Sequence, residues 1–212
     1  MQNTIKLVCF DLNKTLINEN SWRNLNLQLG VTEQEDDIIV KWSKEEVISE
    51  IEAQQILLHI YQRNGNHSYN KIFGILKQYS YKEGALELVK HLKGKGYKLS
   101  IISGCIDILV EYVANELDIE HYRVNNYFSF DKDNNLKNIL TIDNDYSAKL
   151  IQLRSLCNTL HIKMNEVVCV GDGDNEKDIF EETGKGITFK GSKIENVAWK
   201  VVDKLEDIKA IL

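Results

Sequence analysis

The apolar residues of this chain follow two rhythms. Short apolar runs at 5–10, 97–102, 167–170, 186–189 and 201–202 read as buried strands. The alternation over 124–130 reads as a strand that pairs, through a turn at 131–135, with a shorter one near 136–142. Between these runs the period is that of amphipathic helices, at 83–93, 106–117, 147–160, 179–182 and 205–212, the first closed by Gly94 and Gly96. Strands alternating with helices predict an α/β fold, a mostly parallel sheet flanked by helices. Over 21–79 the alternation stops, and Trp22, Leu25, Leu29, then Ile38, Ile39, Trp42, then Val47, Ile48, Ile51, then Ile56, Leu57, Ile60 recur at helical spacing. Ser43 followed by Glu45 and Glu46 predicts a helix start, 64–66 a helix end and 69–78 a further helix. Such a block predicts an insertion after the first strand: a core of residues 1–16 and 80–212, and a small all-helical cap of 17–79.

Composition narrows the partners. The 212 residues are 43% hydrophobic and 27% charged, enough apolar material for a sizeable core. A net charge of −6, with both signs mixed along the chain, argues against nucleic acid as the main partner and leaves room for a small anion. No apolar run approaches membrane-spanning length and no secretory leader is evident, so a cytoplasmic setting without a membrane partner is expected. Cys9, Cys105, Cys157 and Cys169 form no CxxC pair, and Cys9 and Cys169 lie in apolar runs as small hydrophobes. The five histidines lack metal-ligand spacing. Monomer and homodimer are equally compatible with these residues.

Candidate chemistry collects at strand ends. Asp11 follows the first run, Ser103-Gly104 the run at 97–102, and Asp172 the run at 167–170; Lys149 opens the helix at 147–160. Parallel strands bring such ends to one edge. Taken singly, each has an ordinary explanation: a turn carboxylate, a loop dipeptide, a solvated lysine. Together they suit a phosphate held on Mg²⁺, with Asp11 and Asp172 as hard oxygen ligands and Ser103 with the next helix N-terminus around the phosphoryl oxygens. Lys149 offsets charge during phosphoryl transfer, and attack by Asp11 splits hydrolysis into two steps through an aspartyl-phosphate.

The joint pattern resembles the haloacid dehalogenase (HAD) superfamily of phosphatases, in its phosphoserine-phosphatase-like branch. The first signature is similar to Asp11-Leu12-Asn13-Lys14-Thr15, the second to Ile101-Ile102-Ser103-Gly104, the third to Lys149, and the fourth to Gly171-Asp172-Gly173-Asp174-Asn175-Glu176. The resemblance implies a Rossmann-like core, a cap that closes over the site, a small phosphorylated metabolite as substrate and Mg²⁺ as cofactor. It implies Asp11, Asn13 (through its backbone carbonyl), Asp172 and Glu176 as the metal set. Thr15, Ser103, Gly104, Lys149 and Asn175 would surround the phosphate, and Glu19 or Asn20 falls near the position that contacts the substrate. Trp22 and Trp42 read as core. Two positions depart from the pattern. Glu176 stands where an Asp is usual, and its longer arm could act through a metal-bound water or hold Lys149. Asn13 stands where an Asp protonates the leaving oxygen and then activates water; an amide does neither, so the resemblance implies impaired turnover. Three readings follow: a slowed phosphomonoester hydrolase, native or altered at residue 13; a non-catalytic phosphometabolite- or partner-binding protein; or a phosphotransferase or mutase.

Overall fold

A computed structural model describes residues 5–65, 67–142 and 145–212. Its seven-stranded sheet has the order β4-β3-β2-β1-β5-β6-β7. The strands are β1 (Leu7–Phe10), β2 (Lys98–Ile106), β3 (His121–Phe130), β4 (Leu136–Thr141), β5 (Val167–Val170), β6 (Gly186–Phe189) and β7 (Lys200–Val202). Every pairing is parallel except that of β3 with β4, so the expected mostly parallel α/β sheet is observed. Alternate residues of β1 serve opposite faces: Val8 and Phe10 join one apolar cluster, Leu7 and Cys9 the other. Both faces are buried because helices cover them, and all four cysteines are buried and free. No described helix is long and apolar enough to cross a membrane.

Four helices are inserted after β1: α1 (Ser21–Gln28), α2 (Glu33–Lys44), α3 (Glu50–Asn64) and α4 (Tyr69–Leu76). Their apolar residues, among them Leu25, Leu57, Ile60 and Ile72, belong to the same cluster as Val8 and Phe10. The helix start expected at Ser43 is corrected. Ser43 lies inside α2, and the Val47 and Ile48 amides bond back to the Trp42 carbonyl to close that helix. The cap of α3 is Ser49, whose hydroxyl accepts from Glu52 N while Glu52 accepts from Ser49 N. Both serines have a Glu three positions on, so the local signal is ambiguous; α2 runs on through Ser43 to Lys44, and the box that forms is the one at Ser49. Gly65, at φ +69°, ends α3 as expected; Asn66 lies outside the described residues. Trp42 is 43% exposed and is not core.

The chain enters and leaves the insertion through one short ribbon. Asn18 N donates to Ser80 O at 3.0 Å, Lys82 N to Leu16 O at 2.8 Å, and Ile17 bridges Tyr81 antiparallel. The rest is α5 (Ala85–Gly94), α6 (Asp107–Glu116), α7 (Asp145–Leu160) and α8 (Lys177–Thr183), with the C-terminal segment a 3-10 helix, Leu205–Ala210. Tyr79, Tyr81 and Tyr112 all donate hydrogen bonds to the Glu116 carboxylate, tying the exit of the ribbon to α6.

Candidate active site

The central strand β1 ends at Phe10, and Asp11 N still donates to Val170 O of the neighbouring β5 at 2.9 Å. The chain then turns tightly. Thr15, Leu16 and Ile17 N all donate to the Leu12 carbonyl, at 3.2, 2.9 and 3.1 Å. Lys14 takes up the left-handed region at φ +56°, which is costly for a residue with a Cβ. The turn leaves Asp11 buried at the sheet edge, where Lys149 Nζ donates to its Oδ1 at 2.9 Å. The same ammonium bonds Glu176 Oε1, and the other Glu176 oxygen accepts from Gly173 N at 2.8 Å. The Lys149, Glu176 and Asp11 side chains are only 1%, 2% and 9% exposed. Charges removed from water so completely need close pairing, and each partner here depends on the others.

The glycines of the fourth segment follow from this packing. A Cβ on Gly171 would lie 2.4 Å from Glu176 Cγ, and one on Gly173 would lie 2.8 Å from Asn175 Oδ1. Burial, with the charge of Asp11, raises the Glu176 carboxyl to about 7 against the pull of Lys149. Asp172 is also raised, first by burial and then by the charge of Asp11, with Lys82, Lys14 and Lys149 opposing. The charge of Asp11 thus reaches the Asp172 carboxyl. Among the described residues no three His, Cys, Asp or Glu side chains are grouped to hold a metal. A hard divalent ion such as Mg²⁺ needs only one or two carboxylates with waters and a substrate phosphate, and the like-charged pair Asp11 and Asp172 fits that donor chemistry. Glu176 is instead engaged by Lys149 and Gly173.

The second segment is not a loop beyond a strand end. β2 runs through Ser103-Gly104 to Ile106, with its pairing to β3 shifting between Ser103 and Ile106. Cys105 and Ile106, both fully buried, hold the chain in the sheet there. Ser103 is buried, and the Gly104 carbonyl accepts from Trp22 Nε1 at 3.0 Å and Asn126 Nδ2 at 2.9 Å. Trp22 is therefore an anchor of α1 on β2 as well as a partner of the core. The Thr15 hydroxyl is buried without a hydrogen-bond partner. Asn13 Oδ1 accepts from Ser21 N, the first residue of α1, at 3.2 Å. Ser21 Oγ lies 2.9 Å from Cys105 Sγ, whose thiol burial pushes up to about 11.

Two expected substrate contacts have other partners. Glu19 accepts from Ser80 N at 3.0 Å and Ser80 Oγ at 2.9 Å, which locks the ribbon. Asn20 is the N-cap of α1, accepting from Arg23 N at 3.3 Å. Lys82 was missed. It reaches the Lys14 carbonyl from 68 positions away, on a connection with no strand or helix pattern to mark it. Cys105 and Ser21 were missed because their spacing carries no motif.

A family model for haloacid dehalogenase-like hydrolases matches residues 5–180. The chain is 26% identical over 215 residues to a phosphoserine phosphatase of Methanocaldococcus jannaschii, covering 100% of this chain and 98% of that one. It is 26% identical over 209 residues to a phosphoserine phosphatase of Campylobacter jejuni subsp. doylei, covering 98% of each. A solved structure described as a phospho-aspartyl intermediate analogue of phosphoserine phosphatase superposes with a TM-score of 0.80 at 24% identity, over 99% of each chain. The sheet order, the inserted helices and a match over most of the chain agree, and the protein belongs to the haloacid dehalogenase-like hydrolases.

Proposed function

We propose that the chain is a Mg²⁺-dependent phosphomonoester hydrolase that works through an aspartyl-phosphate on Asp11 and is slowed at both proton-transfer steps by Asn13. The observation that carries this is the buried Asp11–Lys149–Glu176 group at the end of the central strand. Lys149 holds one Asp11 oxygen, and the other forms the bond to phosphorus as the ester P–O bond breaks. Lys149 offsets charge on the phosphoryl group, and Glu176 keeps that ammonium in place. The unpartnered Thr15 hydroxyl and the buried Ser103 supply donors to phosphoryl oxygens. Asp11 and Asp172, with the carbonyl of residue 13, would hold Mg²⁺, which supplies further neutralisation of phosphate charge. The phosphoserine phosphatase relatives and the phospho-aspartyl analogue support the class of reaction. We assign the substrate as a small phosphomonoester and not specifically phosphoserine. Arg23 is engaged by Asp36 and Asp37 at 2.7 Å each, Arg63 lies 3.9 Å from Glu35, and Glu19 and Asn20 have structural partners.

An aryl phosphate separates the two steps. Its leaving phenolate needs no proton, so Asp11 is expected to become phosphorylated while hydrolysis of the acyl-phosphate stays slow. Incubation with p-nitrophenyl phosphate and Mg²⁺, acid quench and mass analysis should show phosphorylated chain, absent in Asp11→Asn. Tight binding of phosphate without any phosphorylated Asp11 would favour the non-catalytic reading, to which Asn13, seated on Ser21 N, gives some support. Transfer of the phosphoryl group to an added alcohol in preference to water would favour the transferase reading.

A further inference from the structure

Lys82 belongs to no signature and stands outside the insertion, yet it touches the turn that carries Asp11. Its backbone amide donates to Leu16 O at 2.8 Å, and its ammonium donates to the Lys14 carbonyl. The ammonium also lies 4.0 Å from the centroid of the Phe189 ring at the end of β6. Lys82 thus spans three parts of the site: the ribbon that leaves the insertion, the turn after β1, and the sheet edge beyond β5.

We propose that Lys82 is a positioning residue: it fixes the Lys14 peptide, and through it the turn presenting Asp11 and Asn13. The Lys14 peptide needs such a hold. Lys14 sits in the left-handed region without being glycine, and the inward carbonyl of the turn, Leu12, already accepts three amides. The outward Lys14 carbonyl has Lys82 as its donor. Stacking over Phe189 restricts the ammonium to that position, since a cation over an aromatic face is held from the side as well as by its acceptor. The arrangement also links the insertion to the nucleophile: displacement of the ribbon at 80–82 moves the group that clamps Lys14.

The kinetic part of this inference rests on the hydrolase reading; the structural part does not. The variants are Lys82→Met, Lys82→Arg and, as a control, Lys93→Met on α5, whose ammonium donates to the Leu117 and Asp118 carbonyls just past α6. Amide exchange followed by NMR in the chain as it stands should speed up at Thr15, Leu16 and Ile17 by about tenfold or more in Lys82→Met, and should be unchanged there in Lys93→Met. In the Asn13→Asp background, Lys82→Met should lower kcat about tenfold with a smaller change in KM, because a misplaced nucleophile costs rate more than binding. Lys82→Arg, which can still donate to the carbonyl and stack on Phe189, should recover most of both. Unchanged exchange at those three amides would overturn the positioning role whatever the kinetics. Faster exchange with unaltered kcat would overturn its link to the reaction. An Asn13→Asp protein that never turns over would count against the hydrolase reading alone, and the exchange result would still decide the role of Lys82.

Discussion

Replacing Asn13 by Asp tests the chemistry most directly. The amide oxygen accepts from Ser21 N at 3.2 Å, and a carboxylate can accept the same bond. Ser21 begins α1, so the new charge would face a helix N-terminus, worth about 0.3–1 kcal/mol. That gain opposes the repulsion between residue 13 and Asp11, and we expect stability to change by no more than about 1 kcal/mol. The rate should change far more. A positioned proton donor and acceptor contributes roughly 10²–10⁴-fold, which is about 3–5 kcal/mol of barrier. Alkyl phosphates, whose leaving alkoxide needs a proton, should gain across that range. Aryl phosphates should gain only through faster opening of the acyl-phosphate. The assay is steady-state phosphate release with Mg²⁺ for one ester of each kind, beside a thermal melt. A gain below about tenfold on the alkyl ester, with the melt unchanged, would refute the reasoning, because the missing proton transfer would then not be what limits this site.

Lys149→Met leaves the Asp11 and Glu176 carboxylates buried without their cation and should cost about 3–5 kcal/mol in urea denaturation; a loss under about 1 kcal/mol would contradict the pairing. Gly171→Ala drives a methyl to within 2.4 Å of Glu176 Cγ and should cost about 1–3 kcal/mol, partly recovered when Glu176→Asp shortens the arm; strictly additive losses would show that the two do not meet. The Glu116 carboxyl is held below 4.5 chiefly by the Tyr79 hydroxyl, so its contribution is complete above the unfolded value and fades as pH falls through the folded one. Glu116→Gln should therefore destabilise at neutral pH and converge with the parent well below pH 4.5, and a gap that persists in acid would point to packing in place of charge. Chelation with EDTA should abolish turnover of the Asn13→Asp protein, Mg²⁺ should restore it, and Asp172→Asn should raise the Mg²⁺ concentration required.

Much of the architecture was legible because burial on both faces of a parallel sheet leaves plain apolar runs, as in Val167–Val170, and because a helical period over 21–79 cannot be mistaken for strand. Asp11 and Asp172 were legible as strand-end chemistry, whereas Ser103 lies within β2 and Lys149 is the fifth residue of α7, not its opening one. The errors arose where a local signal had two valid outcomes. Ser43 and Ser49 both have the residues of a capping box, and only the one at Ser49 forms. Asn20 is polar at a site entrance and also an excellent helix cap, and the backbone amides of α1 claimed it. β2 passed beyond Ser103-Gly104 because Cys105 and Ile106 are buried, which no turn dipeptide reveals. The longer arm of Glu176 allows either a metal-bound water or Lys149 as its partner, and its bonds to Lys149 and Gly173 are visible only in the folded chain. Lys82 depends on a contact across 68 positions, so no window along the chain contains it.

The ribbon joining 16–18 to 80–82 has a consequence for how such a chain can diversify. The two ends of the insertion meet side by side, with Asn18 N bonded to Ser80 O. A segment that departs and returns through a single doorway can be lengthened, trimmed or exchanged without disturbing strand order, since nothing in the sheet must be rethreaded. The Asp11–Lys149–Glu176 group comes wholly from outside that doorway. The insertion can therefore change in length and sequence while the buried charge group beneath it stays as it is.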